Sequence, residues 1–296
     1  MHAAGPTMAR EPRSAVITGA SRGLGFASAA HLYRRGWRVV GAMRSPEAGL
    51  DRLRAATGAA AEDPRLVGVR LDLDDPASVT AAAEAIEAAV GAPDVLVHNA
   101  GIAAVGAVEE TPSQVWEHLL RTNLLGPVRL TQALLPSMRA AGRGRIVVVS
   151  SQGGLRGMPS ISAYSASKGA LERWAEALAE EVAPFGLGVT ILTSGTFKTD
   201  ILTEQTPEYG DYNGPYAGHY AGIRRLGDFM VPLAGPPERF ARVLAKAVAE
   251  RAPFSRRAVG FDAKLLLVGT RLLPGRVLHH LIRLAMGLPR RGSIGG

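Results

Sequence analysis

Tyr164 and Lys168 stand four positions apart in Tyr164-Ser165-Ala166-Ser167-Lys168, a spacing that puts a phenol and an ammonium on one face of a helix. A phenol with its ordinary pKa of ~10 trades protons poorly near neutrality, and a neighbouring cation favours the phenolate and lowers that value. The pair suits proton exchange with a carbonyl or alcohol oxygen, and Lys168 can also bind ribose hydroxyls. Upstream, Val149-Ser150-Ser151 closes an apolar strand, at the end where open α/β sheets place ligands. The Ser151 hydroxyl could hold a substrate oxygen as charge develops on it. Ser150 is its rival, and a turn or capping serine is the plainer reading. Asn123, in Arg121-Thr122-Asn123-Leu124, is polar in an otherwise buried-looking stretch. It suits a water-held proton relay or a satisfied helix kink.

Proton exchange at a carbonyl needs a hydride partner, and a second group of residues supplies its seat. Thr18-Gly19-Ala20-Ser21-Arg22-Gly23-Leu24-Gly25 lies between a strand and a helix. In that setting Gly19 takes the tight turn, Gly23 admits a pyrophosphate and Gly25 lets helix and strand pack closely, with helix N–H groups aimed at the phosphates. The next strand ends Ala42-Met43-Arg44-Ser45, without the carboxylate that would hold ribose hydroxyls. Arg44, helped by Arg22, could instead bind a 2′-phosphate, so NADP(H) is favoured over NAD(H); the alternative is two solvated surface arginines. Asp72, with the Leu73 backbone beside it, could accept from the adenine amine or be a helix N-cap. Asn99-Ala100-Gly101 ends the fourth strand, where small residues let the chain pass near the cofactor ribose, and where Asn99 could equally bind sheet backbone.

These residues need a scaffold, and the chain shows one. Short apolar runs at Ala15–Ile17, Arg38–Met43, Leu66–Leu71, Asp94–His98, Arg145–Val149 and Gly188–Thr193 alternate with helical segments at Phe26–Arg35, Ala77–Val90, about Ser113–Ala140, about Ala163–Val182 and about Pro237–Arg251. Nearly continuous apolar strands are expected when helices cover both faces of a parallel sheet. The rhythm predicts an α/β, Rossmann-type doubly wound parallel sheet of about seven strands, in a single domain with a helical C-terminal extension. Residues 1–13 read as a disordered tail, 14–260 as the nucleotide-binding fold and 261–296 as the extension. From about 200 to 236 the pattern loosens into Gly, Pro and Tyr (Tyr209, Tyr212, Tyr216, Tyr220), which predicts an irregular substrate lid.

Composition narrows the classes. The 296 residues are 47% hydrophobic and 20% charged, which fits a globular α/β chain and excludes disordered and collagen-like ones. With no cysteine, thiolate nucleophiles, disulfides, Fe–S clusters and Cys-ligated zinc are excluded. The charge of +8 is spread over scattered arginines rather than a basic, aromatic-interleaved block, so no nucleic acid is expected. No run suits a signal peptide or a spanning helix, and the expectation is a cytoplasmic protein.

Taken in order, Thr18 to Gly25, Asp72, Asn99-Ala100-Gly101, Asn123, Ser151 and Tyr164 with Lys168 closely resemble the short-chain dehydrogenase/reductase family, in its compact branch. The likeness runs from Ser14 to about Arg251, and the Ser151-to-Tyr164 gap matches the family's, which favours Ser151 over Ser150. The resemblance implies that Tyr164 is the general acid/base, that Lys168 lowers its pKa and binds ribose, that Ser151 positions the substrate oxygen and that Asn123 anchors a relay water. One departure stands out. Where the family usually has Pro-Gly after the sixth strand, this chain has Ser194-Gly195-Thr196-Phe197-Lys198-Thr199. Thr196 and Thr199 stand where the family contacts the nicotinamide carboxamide.

The long segment after Thr199 and the extended C-terminus look like the ketosteroid- and retinoid-type members, which implies a bulky apolar ketone or alcohol as substrate. The resemblance also implies a homodimer or homotetramer. Apolar and Arg positions from Lys264 to Arg291 form a basic amphipathic pattern, for which packing on the core or a second subunit is favoured over peripheral membrane contact. A catalytically silent dinucleotide sensor or scaffold on the same fold is the alternative function, and the intact Tyr164, Lys168 and Ser151 set argues against it.

Overall fold

The computed structural model describes residues 12–199 and 206–293, so almost all of the expected N-terminal tail and the first part of the expected lid lie outside the described residues. Seven strands form one parallel sheet: β1 (Ser14–Thr18), β2 (Arg38–Met43), β3 (Leu66–Arg70), β4 (Val95–His98), β5 (Gly144–Ser151), β6 (Leu187–Ser194) and β7 (Phe254–Val259). Their order is β3-β2-β1-β4-β5-β6-β7, and every pairing is parallel. The helices are α1 (Gly23–Arg34), α2 (Pro46–Thr57), α3 (Pro76–Val90), α4 (Ser113–Leu120), α5 (Gly126–Ala141), α6 (Gln152–Leu155), α7 (Ser162–Val182), α8 (Ala217–Met230), α9 (Pro237–Ala247), α10 (Phe261–Leu272) and α11 (Gly275–Ala285).

Successive strand residues point to opposite faces, and both faces are buried. Val16, Val40, Leu96, Ile146 and Val148 pack with Ile86, Leu134, Met138 and Leu171 from α3, α5 and α7. Ala15, Ile17, Val39, Val95 and Val147 pack on the other side with Leu32, Phe240 and Leu244 from α1 and α9. After β1 the chain moves outward through β2 and β3, then returns to β4 on the opposite side of β1. That reversal opens a crevice at the carboxyl ends of β1 and β4, where doubly wound folds bind ligands.

Three elements escape a reading of hydrophobic period alone. Helix α2 buries only Gly49 and Leu53, and is entered through Pro46 and closed by Gly58 in the left-handed region. Strand β7 is an edge strand in which Arg256 and Arg257 interrupt the apolar run. Helix α8 falls inside the stretch expected to be irregular, so the lid is partly helical; three glycines and scattered charges dilute its apolar stripe. The long helix expected from about Ser113 to Ala140 is interrupted at Arg121–Leu125 by a π-helical turn.

Candidate active site

The glycine turn leaves β1 under tight restraint. Gly19 sits at φ +68°, and a Cβ there would lie 2.9 Å from the Ala100 Cα. A Cβ on Gly25 would come 2.3 Å from the Gly19 carbonyl oxygen. Asn99 locks the turn to β4, its Nδ2 donating to the Thr18 and Gly19 carbonyls at 2.9 and 3.3 Å. The Thr18 hydroxyl in turn accepts from the backbone N–H groups of Asn99 and Ala100, both at 3.0 Å. The sequence left Asn99 open between cofactor and sheet, and its side chain serves the sheet.

Arg22 occupies the N-cap position of α1 without a side-chain cap bond, and the first turn has no acidic residue. Ser21, Gly23 and Leu24 complete a turn whose helix N–H groups remain open to an anion. These features fit a dinucleotide phosphate: the cradle has no room for a Cβ at Gly19 or Gly25, and it ends at an uncapped helix. Arg44 is exposed just beyond β2, and no acidic partner is recorded for it among the described residues. Asp72 is partly buried; its Oδ1 accepts from the Asp74 N–H at 3.1 Å. It is not the N-cap of α3: Asp75 fills that place, accepting from the Ala77 N–H. Leu73 is buried against Gly126.

The acid-base group lies at the ends of β4 and β5. Lys168 is 4% exposed, and its Nζ donates to the Val149 carbonyl at 3.1 Å. Burial pushes its pKa down to about 8, against the opposing pull of Glu172 one turn further along α7. Tyr164 keeps part of its ring surface, but its phenol is desolvated, which raises its pKa; the nearby Ser151 side chain works in the lowering direction. The expected lowering of Tyr164 by Lys168 is therefore not what this structure shows. Desolvation dominates, and the ammonium is turned to Val149. Ser151 caps α6, accepting from the Gly153 N–H at 3.4 Å. Ser150, its rival, is buried beside Gly154, where α7 packs.

Asn123 is fully buried in the π turn. Its Oδ1 accepts from the Ile102 N–H, and its Nδ2 donates to the Ile102 carbonyl and the Ser167 hydroxyl, all at 2.9 Å. The side chain thus behaves as the satisfied helix irregularity, with both amide ends engaged by protein. Gly101 passes beside it, and a Cβ there would lie 3.1 Å from both Asn123 Oδ1 and Lys168 Nζ.

Where the family pattern has proline, Ser194 donates from its hydroxyl to the Ser150 carbonyl at 2.9 Å, so a side-chain bond replaces ring stiffness. Beyond it, the Thr199 methyl lies 3.4 Å from the position of a Cβ on Gly23, which brings the loop over the phosphate turn. The Thr196 N–H is committed to Asp262 Oδ2 at 2.7 Å, leaving its hydroxyl as the group available to a ligand. Asp262, in the first turn of α10, also accepts from Gln152 Nε2 at 2.8 Å. Sequence reasoning missed this carboxylate, although it is the sole acid between Arg251 and Gly296.

Two of the lid tyrosines are engaged by protein. Tyr220 Oη accepts from the Ala107 N–H at 2.7 Å and bonds Glu110, and Tyr216 donates to Glu109 at 2.7 Å. They tie α8 to the loop after β4. A groove of about 590 Å³ lies on the outer face of α7, between Met158 and Ala166 on one wall and His279 and Ile282 of α11 on the other. Ser151, Tyr164 and Lys168 do not line it.

Comparison with known proteins agrees with this geometry. The short chain dehydrogenase family model matches residues 13–210. A 3-ketodihydrosphingosine reductase of Bacteroides thetaiotaomicron is 31% identical over 93% of this chain and 98% of its own length. Among solved structures, a short-chain dehydrogenase from Streptomyces avermitilis superposes with a TM-score of 0.79 at 35% identity, covering 97% of this chain and all of that one. A metagenomic short-chain oxidoreductase in complex with NADP gives 0.65 at 29% identity, over 83% and 96% of the two chains. A phosphate cradle at the β1–α1 turn, a buried lysine one helical turn along α7 from Tyr164, and likeness along nearly the whole chain lead to one assignment: this protein belongs to the short-chain dehydrogenase/reductase family, oxidoreductases that work between CH–OH and C=O with a nicotinamide dinucleotide.

Proposed function

We propose that the chain is an NADPH-dependent reductase of a bulky apolar ketone, with Tyr164 as proton donor, Lys168 and Ser151 holding its environment, and Asn123 fixing the strand-end loop. The observation that carries the reading is that Tyr164 lies within electrostatic reach of the Ser151 side chain, with buried Lys168 one turn along the same helix. The nicotinamide, when bound, supplies or accepts the hydride. Tyr164 then gives its phenolic proton to the carbonyl oxygen, and Ser151 donates a hydrogen bond to the same oxygen as charge gathers there. Lys168, still largely cationic at neutrality, stabilises the phenolate left behind. Gly19, Ser21, Arg22, Gly23, Leu24, Gly25, Asp72, Leu73, Asn99, Ala100, Gly101, Thr196 and Thr199 form the cofactor seat in this reading.

The preference for NADP(H) over NAD(H) is supported by exposed Arg44 at the end of β2, where no acid repels a 2′-phosphate. An apolar ketone is supported by the relative named for reducing 3-ketodihydrosphingosine. The protein is read as a cytoplasmic homo-oligomer. The test is NADPH and NADH oxidation by purified protein against ketones of increasing chain length and ring count. Oxidation of NADPH by long-chain or polycyclic ketones is the expected result. The reading fails if no ketone consumes NADPH and no alcohol reduces NADP. A silent sensor would bind NADPH and show the same output in the Tyr164→Phe variant as in the parent.

A further inference from the structure

The C-terminal helix pair carries an apolar surface that the fold does not use. On α10, Phe261, Leu265, Val268 and Leu272 recur at helical spacing and are 77%, 63%, 51% and 76% exposed. On α11, Val277, Leu281 and Leu284 repeat the pattern and are all exposed. The helices pack on one another through other positions, Gly269 against Leu278, so these stripes are left to the outside. The earlier preference for packing on the core is thereby set aside for these two faces.

Charge indicates what covers them. From Ala263 to Gly296 the sequence holds Lys264, Arg271, Arg276, Arg283, Arg290 and Arg291 and not one Asp or Glu. At roughly 100° per residue, Lys264 and Arg271 fall within a quarter turn of the α10 stripe, on the same side of it. Long cationic side chains beside an apolar stripe bury their stems and keep their heads at a polar, anionic boundary. A second copy of the chain suits the surface less well. Two-fold pairing would set this face against itself, cation toward cation, with no acid in the segment to answer them. No helix among the described residues is long and apolar enough to cross a membrane. We propose that α10 and α11 dock this protein on the surface of an anionic lipid bilayer, lying in the interface rather than spanning it.

The docking face is fixed relative to the catalytic crevice. Asp262 opens α10 and holds both the Thr196 N–H and the Gln152 side chain, next to Ser151. The apolar stripes therefore start at the same rim of the sheet as the catalytic group, and a docked protein presents that rim near the lipid. This surface stands independently of the ketone reading, because it rests on exposure and charge alone.

The test uses the full chain and two vesicle types, phosphatidylcholine alone and phosphatidylcholine mixed with phosphatidylglycerol. The parent protein floats with the mixed vesicles and not with the neutral ones, and added salt releases it. The triple variant Leu265→Asp, Leu272→Asp, Leu281→Asp, at exposed sites outside the catalytic group, loses flotation while retaining its circular dichroism and its turnover of a small water-soluble ketone. The proposal is overturned if the parent fails to float with anionic vesicles at low salt. It is also overturned if light scattering shows a dimer that the triple variant dissociates, because a second copy then covers the face. Absence of ketone turnover in parent and variant alike would sink the functional reading and leave the flotation result to stand.

Discussion

Replacing Tyr164 by Phe removes one oxygen from the crevice and almost nothing from the packing. Turnover is expected to fall by about 10²–10⁴, the usual weight of a positioned acid-base group, with NADPH affinity retained in a fluorescence titration. Arg44→Ala acts on the other end of the site. Losing a charge-assisted bond worth about 1.5–3 kcal/mol raises the KM for NADP roughly ten- to hundred-fold and leaves that for NAD unchanged. Equal effects on both cofactors would remove Arg44 from the 2′-phosphate. The residues named by spacing, Tyr164, Lys168 and Ser151, were legible because chemistry fixes their types and a helix or strand end fixes their distance. What spacing could not reveal was the direction of the Tyr164 shift. Desolvation depends on everything packed around the phenol, and none of that is local in sequence. Asn123 shows the same limit: its type was legible, but its amide partners, Ile102 and Ser167, come from two other segments.

At the scale of elements, the β1–α1 turn tolerates no added carbon at Gly25. Gly25→Ala places a methyl against the Gly19 carbonyl, which must move, and the expected outcome is loss of NADPH binding before loss of fold, read by titration beside circular dichroism. Edge strand β7 is tied to α7 by Arg256, whose guanidinium meets Glu172 at 2.9 Å and Glu176 at 2.6 Å. Glu172 is completely buried; Arg256 is its shortest ion pair, with exposed Arg173 farther off at 3.8 Å and Lys168 one turn back on α7. Arg256→Ala is expected to destabilise the protein by about 3–5 kcal/mol in denaturant unfolding, because it strands a buried carboxylate. Here the sequence was less informative. Strands buried on both faces announce themselves by unbroken apolar runs, whereas β7 spends its middle positions on two arginines, Arg256 paired with α7 and Arg257 with Glu250. Helix α8 was hidden for a related reason, since Tyr216 and Tyr220 face the β4–α4 loop through hydroxyls rather than through an apolar stripe.

For the molecule as a whole, Lys168 sets a pH dependence. Its folded value of about 8 lies below its ordinary 10.5, so between the two the unfolded chain binds more protons and stability rises with pH, by up to ~1.4 kcal/mol per unit. The gain is complete above the unfolded value and is lost as pH falls through 8. Above pH ~10 the raised tyrosines Tyr164 and Tyr220 slope the other way, because the unfolded chain ionises first. Cofactor-free protein is therefore expected to be more stable at pH ~9.5 than at pH ~8 in urea, and Lys168→Met should flatten that difference. An unchanged slope in the variant would show that the lysine is not the group responsible. The doubly wound architecture was legible at this scale, because burial of a parallel sheet on both faces is written into every central strand.

Asp262 links these scales. One carboxylate joins the first turn of the C-terminal helix pair to the loop that follows β6 and to the neighbour of Ser151. The tail is consequently no detachable appendix. Anyone recombining this scaffold with the terminus of another reductase would have to supply an acceptor at the same point, or two segments bordering the reaction chamber would lose their common anchor. Trimming the chain just before Phe261 should therefore impair catalysis even toward substrates that never meet a lipid.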